Sequence, residues 1–83
     1  MTDEKIQTAI AASVVGLTRH IMARDGIAQD EAYRRLCATE IFKLLSNPDT
    51  RLFLEPNEQL CKWLDTESTD GVDSLYAAIQ PDA

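Results

Sequence analysis

This sequence predicts an all-α fold, a small bundle of four to five short helices around a long N-terminal helix. Apolar residues recur at helical spacing throughout Ile6–Met22. The same spacing returns in shorter runs separated by Gly26, Asn47-Pro48 and Gly71. No stretch alternates apolar and polar residues over four positions with a turn on both sides, so no strand is expected. The 83 residues suit a single helical domain spanning 1–83, with helices near 3–24, 29–38, 40–46, 56–67 and 71–79. Folding a chain of this size hides only about 60–65% of its unfolded surface, so stability is marginal without staples or oligomerisation.

The first helix begins at Thr2 or Asp3, where acidic residues suit the positive end of the helix dipole, and Gly26 ends it. At about 100° per residue Ile6, Ile10, Val14, Leu17 and Ile21 form one stripe, which Ala11, Val15 and Met22 widen to about half the circumference. Ala9, Ala12, Gly16 and Ala23 form a second strip of small residues. There another backbone, from a later helix or a second copy of the chain, can come close.

The second helix starts after Ala28, which has no side-chain acceptor, with Glu31 placed to reach back to the cap. Ala32, Tyr33, Leu36 and Cys37 make its inward face. Were it to run on to Leu45, Glu40 would fall in the middle of the apolar arc, where an unpaired carboxylate is costly. A break is therefore expected. Thr39 caps a new short helix, Glu40 becomes its exposed first residue, and Ile41, Phe42, Leu44 and Leu45 cover the core.

Asn47-Pro48 stops that helix, and Leu52-Phe53-Leu54 forms an extended piece or a single helical turn whose apolar side chains must find the core or a partner. Pro56 opens the next helix, with Leu60, Cys61 and Leu64 inward, Trp63 flanking, and Glu58 and Lys62 as an i,i+4 pair. Ser68-Thr69-Asp70-Gly71 reads as a turn, and Asp70 as the cap of a last helix that carries Val72, Leu75, Tyr76 and Ile79 on one stripe. A frayed end is expected at Gln80-Pro81-Asp82-Ala83.

The charge distribution and the missing motifs exclude several functions. The net charge of −6 falls wholly after residue 51, where Lys62 is the only basic residue. Such a surface repels phosphate backbones, so nucleic acid is a poor partner. A basic protein partner would be compatible. The longest uncharged run, Ile6–Thr18, is far shorter than the roughly 20 apolar residues of a membrane span. The MTDEK start lacks a basic n-region, and Cys37 and Cys61 read as reduced core residues, so a cytoplasmic chain is expected. Two cysteines and one histidine make no zinc-ligand pattern, and no phosphate-binding or nucleophile-elbow motif occurs. No metal, cofactor or catalytic residue is assigned, and the chain is not expected to be an enzyme. An enzyme would need a pocket joining at least two of His20, Cys37, Glu40 and Cys61.

The run GIAQDEAYRRLCATEIFKLLSNPDTRLFLEPNEQL, followed by an acidic helix and DGVDSLY, resembles a loose group of short bacterial helical proteins of uncharacterised function. The resemblance covers most of the chain after residue 20, and its motifs are structural. Some of those proteins are encoded beside toxin-like enzymes, including ADP-ribosyltransferase-like ones, so the resemblance implies an antitoxin-like or accessory role. The expected function is a non-catalytic protein-interaction module that forms a homodimer or binds another protein. Ala9, Ala12, Gly16, Ala23, Leu52, Phe53, Leu54 and Trp63 are its candidate surface. The alternative is a DNA-binding regulator in which the second and third helices mimic a helix-turn-helix and Arg34, Arg35 and Lys43 contact phosphates.

Overall fold

A computed structural model describes residues 3–79, and their fold is all-α. The helices are α1 (Asp3–Asp25), α2 (Gln29–Cys37), α3 (Glu40–Ser46), α4 (Asn57–Asp70) and α5 (Val72–Ile79). Two 3-10 turns, Pro48–Thr50 and Leu52–Leu54, join α3 to α4. The expectation for Gln80–Ala83, and that of a cap at Thr2, lie outside the described residues.

One face of α1 makes the floor of the core. Ile10, Leu17 and Ile21 are buried against Ala32 and Leu36 of α2, Ile41 and Leu45 of α3, Leu60 and Leu64 of α4, and Leu75 of α5. Leu52 is buried with them and Phe53 packs alongside, so the first 3-10 residue after Arg51 is a core residue. Thr18 is also buried, and its hydroxyl donates to the Val14 carbonyl at 2.8 Å, which removes the cost of an unmet polar group. The apolar face of α1 is narrower than half the helix. Ala11 is exposed and Val15 is 50% exposed, because Val15 lies about 140° round the helix from Ile10.

The break at Thr39 closes one helix and opens the next. Its hydroxyl donates to the Leu36 carbonyl at 2.6 Å and accepts the Phe42 N–H at 3.2 Å. A second acceptor comes from far along the chain. The Glu67 carboxylate on α4 accepts the N–H of Glu40 at 2.7 Å and of Ile41 at 2.9 Å. A negative group there meets both the unpaired donors and the positive end of the α3 dipole. Glu40 is accordingly not the freely exposed residue the sequence suggests. Its side chain is only 26% exposed, lies 3.9 Å from Lys43 and accepts the Tyr76 hydroxyl of α5 at 2.6 Å. That bond to a carboxylate, with burial and the nearby Glu67 charge adding to it, holds the Tyr76 phenol above its ordinary pKa.

Several local expectations are corrected. Ser68–Asp70 continue α4 instead of turning, and within it the hydroxyls of Thr66 and Thr69 fold back onto the Lys62 and Asp65 carbonyls at 2.9 and 2.6 Å, which keeps them from competing for the backbone of a turn. Gly71, with φ of 94°, then makes the turn, and α5 starts without Asp70 as its cap. Glu31 does not reach back to the α2 cap but lies 3.7 Å from Arg35, one turn ahead. Among the described residues no salt bridge joins Glu58 and Lys62. Tyr33 is 47% exposed and meets Phe42 edge to face, with ring centroids 6.4 Å apart. Val72 and Tyr76 are also outward, leaving Leu75 as the buried residue of α5.

Replacing Glu67 by Ala removes the acceptor for two N–H groups, and a loss of about 1–2 kcal/mol is expected. Glu67→Gln keeps one acceptor oxygen and should lose less. Urea denaturation followed by far-UV circular dichroism checks the order of the three midpoints.

Candidate functional site

The candidate surface residues do not form one patch. Gly16 faces the start of α4, where a Cβ in its place would overlap the Asn57 side chain. The close approach expected of the small-residue strip is therefore made within the chain at that position. Ala9 is half-buried, whereas Ala12 and Ala23 remain exposed. Leu52 belongs to the core and offers nothing to a partner. Phe53 and Trp63 are half-buried against the core, and Leu54, 59% exposed, is the outward member of its turn. Leu54 and Phe53 border a hollow of about 440 Å³ that also touches Ile6 and Arg51.

From Gly16 onward, α4 runs beside α1 along a polar seam. The Nε2–H of His20 donates to both carboxylate oxygens of Asp65, at 2.9 and 3.0 Å. Arg24 donates to Asp65 at 2.9 Å and to the Ser68 hydroxyl at 3.2 Å, and grips Asp25 with two bonds of 2.9 and 3.1 Å. Arg35 of α2 reaches the same Asp25 at 3.2 Å. Burial pushes the Asp65 carboxyl upward, but the hydrogen bonds from His20 and Arg24 outweigh it and hold the pKa below the usual carboxylate range. Asp25 is lowered as well, first by its bond from Arg24, against a burial effect, and further by Arg35.

This seam has the residue types of a nucleophilic site without its geometry. Burial, followed by the Asp65 charge, raises the Cys61 pKa, which depletes the reactive thiolate. Among the described residues no hydrogen bond joins the His20 ring, bonded through Nε2 to Asp65, to the Cys61 thiol, which accepts from Asn57 Nδ2 at 3.7 Å. None of His20, Cys37, Glu40 and Cys61 lines the α1–α2 groove, the hollow beside Leu54, or the hollows beside Leu52 and beside Asp65. Among the described residues no group of three His, Cys, Asp or Glu side chains could hold a metal.

A surface that sequence reasoning missed lies on the other flank of α1. A groove of about 340 Å³ runs between α1 and α2, with Val14, Val15, Met22 and Tyr33 as apolar walls and Thr18 beneath. Arg19 and Gln29 stand exposed at its rim. Among the described residues Arg19 has no salt-bridge partner, whereas Arg34, Arg35 and Lys43 each lie within 4.0 Å of a carboxylate. The signal was present in the helical wheel, where Val15 sits far from the stripe's centre and beside the polar Thr8 and Arg19.

Gly16→Ala forces the exposed Asn57 side chain into another rotamer, which should offset part of the roughly 1 kcal/mol that Ala gains over Gly in a helix interior, and the full gain should appear in an Asn57→Ala background. Thermal denaturation of the two single variants and the double variant checks this. For Asp65 the direction with pH follows from its depressed pKa. Its contribution is present above the unfolded value of about 4 and is lost as pH falls through the lower folded value. The side chain is 45% exposed, so Asp65→Asn should cost less than about 1 kcal/mol at pH 6, and the gap to the parent should shrink below pH 4 in urea titrations.

Comparison of the chain with protein-family models, curated proteins and solved structures found no match.

Proposed function

We propose that this protein is a non-catalytic interaction module that works by self-association through the outer face of α1 and the groove beside it. The observation that carries the reading is the 50% exposure of Val15 within a groove whose opposite wall is the 47% exposed Tyr33. A large apolar side chain left in water on the longest helix, next to an arginine with no salt-bridge partner among the described residues, suits a surface that another chain covers. The α5 patch of Val72 and Tyr76 is a weaker candidate, since its tyrosine hydroxyl is already bonded to Glu40.

A non-catalytic role agrees with the seam chemistry, in which the Cys61 thiol is disfavoured as thiolate and no hydrogen bond among the described residues joins it to His20. A DNA-reading role is less well supported. The start of α3, which would face the groove of a duplex, is occupied by the Glu67 carboxylate, and the flanking cations are paired. The antitoxin-like or accessory role implied by the resemblance is of the same kind, binding without turnover. No helix among the described residues is long and apolar enough to cross a membrane. Cys37 and Cys61 are free thiols, and a reducing, cytoplasmic setting suits them.

Sedimentation equilibrium from about 1 µM to 1 mM should show the mass rising from 9.3 kDa toward twice that value. Val15→Asp should shift the transition to higher concentration while changing folding stability by no more than about 0.5 kcal/mol, as expected for an exposed site. A wild-type mass that stays at 9.3 kDa across the range would overturn the proposal.

A further inference from the structure

Resting on that reading, we infer that the occupant of the α1 face is the α1 helix of a second copy, running antiparallel about a two-fold axis between Ala11 and Ala12. The face is defined by residues that the fold leaves outward. Glu4, Thr8, Ala11, Ala12, Val15 and Arg19 are all exposed and lie within about 100° of one another on the helix. Neither Glu4 nor Arg19 has a salt-bridge partner among the described residues.

The order of these six residues is self-complementary when the helix is reversed. An antiparallel copy centred between Ala11 and Ala12 sets Glu4 against the other copy's Arg19, Thr8 against its Val15 and Ala11 against its Ala12. Each pair occurs twice, as a closed two-fold interface requires. The alanines at the centre let the two backbones approach. The Thr8–Val15 contacts flank them, and two opposite-charge pairs close the ends. A parallel arrangement instead places Glu4 on Glu4 and Arg19 on Arg19, two repulsive contacts, and aligns the helix dipoles unfavourably. The antiparallel copy also brings its Glu4–Thr8 turn over Val15 and Arg19, two residues that border the α1–α2 groove. The same contact thus covers the apolar wall and supplies the acidic partner that the Arg19 rim lacks.

Charge exchange at the two ends tests the geometry. Sedimentation equilibrium in low salt should give a dimer for the parent protein. Glu4→Lys and Arg19→Glu, each alone, should raise the dissociation constant about tenfold or more by turning two attractive pairs into repulsive ones, and combining them should restore it to within about threefold. The single-variant effects should shrink at about 1 M salt. A parent dimer that is insensitive to the single substitutions, or that the double substitution does not restore, overturns the antiparallel α1 pairing while leaving self-association standing. A parent protein that remains monomeric overturns both.

Discussion

The Glu67 carboxylate reaches from α4 to the first two N–H groups of α3, 27 and 26 residues away in sequence, and the arrangement of the smaller helices depends on that contact. A seven-residue helix is too short to persist on backbone propensity. It persists here because its start is capped and its inward apolar side chains are buried. Thr39 and Glu67 satisfy its start, and its apolar residues Ile41 and Leu45 are fully buried. With Glu67 on the α3 axis, the Glu40 side chain turns toward Tyr76, and its acceptance of the phenol ties α5 to the same corner. Two carboxylates therefore connect three helices around one helix terminus.

The acidic excess of the C-terminal part looks from composition like a solvated surface, yet part of it is internal wiring. Asp65 binds His20 and Arg24 on α1, and Glu67 binds backbone on α3. Two of the negative charges that make the chain acidic thus hold α4 to its neighbours, one through side-chain cations and one through amide dipoles. Asp65 takes Arg24 of α1, whereas Arg34 and Arg35 of α2 lie within 4.0 Å of Asp30, Asp25 and Glu31 in the N-terminal part. That leaves Arg19 conspicuous on the outer surface.

The helical class and the break at Thr39 could be read from sequence because both depend on local rules. Periodicity assigns the faces, and a carboxylate in the middle of an apolar arc forces a break close to the nearest side-chain cap. The partner of that break could not be read, since nothing in residues 39–41 specifies an acceptor on a helix that begins at Asn57. The run Ser68-Thr69-Asp70 was misleading for a related reason. Such residues favour turns when their side chains bond the backbone of a turn, whereas here α4 runs on to Asp70 and the Thr66 and Thr69 hydroxyls bond carbonyls one helical turn earlier. In the candidate surface, residue type points to Leu52 and Gly16, but only their surroundings say what meets them. The 3-10 turn carries Leu52 inward, and Asn57 closes over Gly16. Val15 lies at the margin of the apolar arc, where periodicity alone does not tell a core residue from an exposed one.

The contact between Gly16 and Asn57 bears on how α1 can move. Packed helices shift most easily by sliding along their axes, since a smooth ridge offers little resistance to a small axial displacement. Gly16 is a notch into which the Asn57 side chain fits, with Ser13 and His20 adding side chains on the same flank of the helix. Displacing α1 along α4 would drive one of those larger residues against Asn57. The notch therefore favours one axial register of α1 against α4, and with it one height for the outward residues of α1.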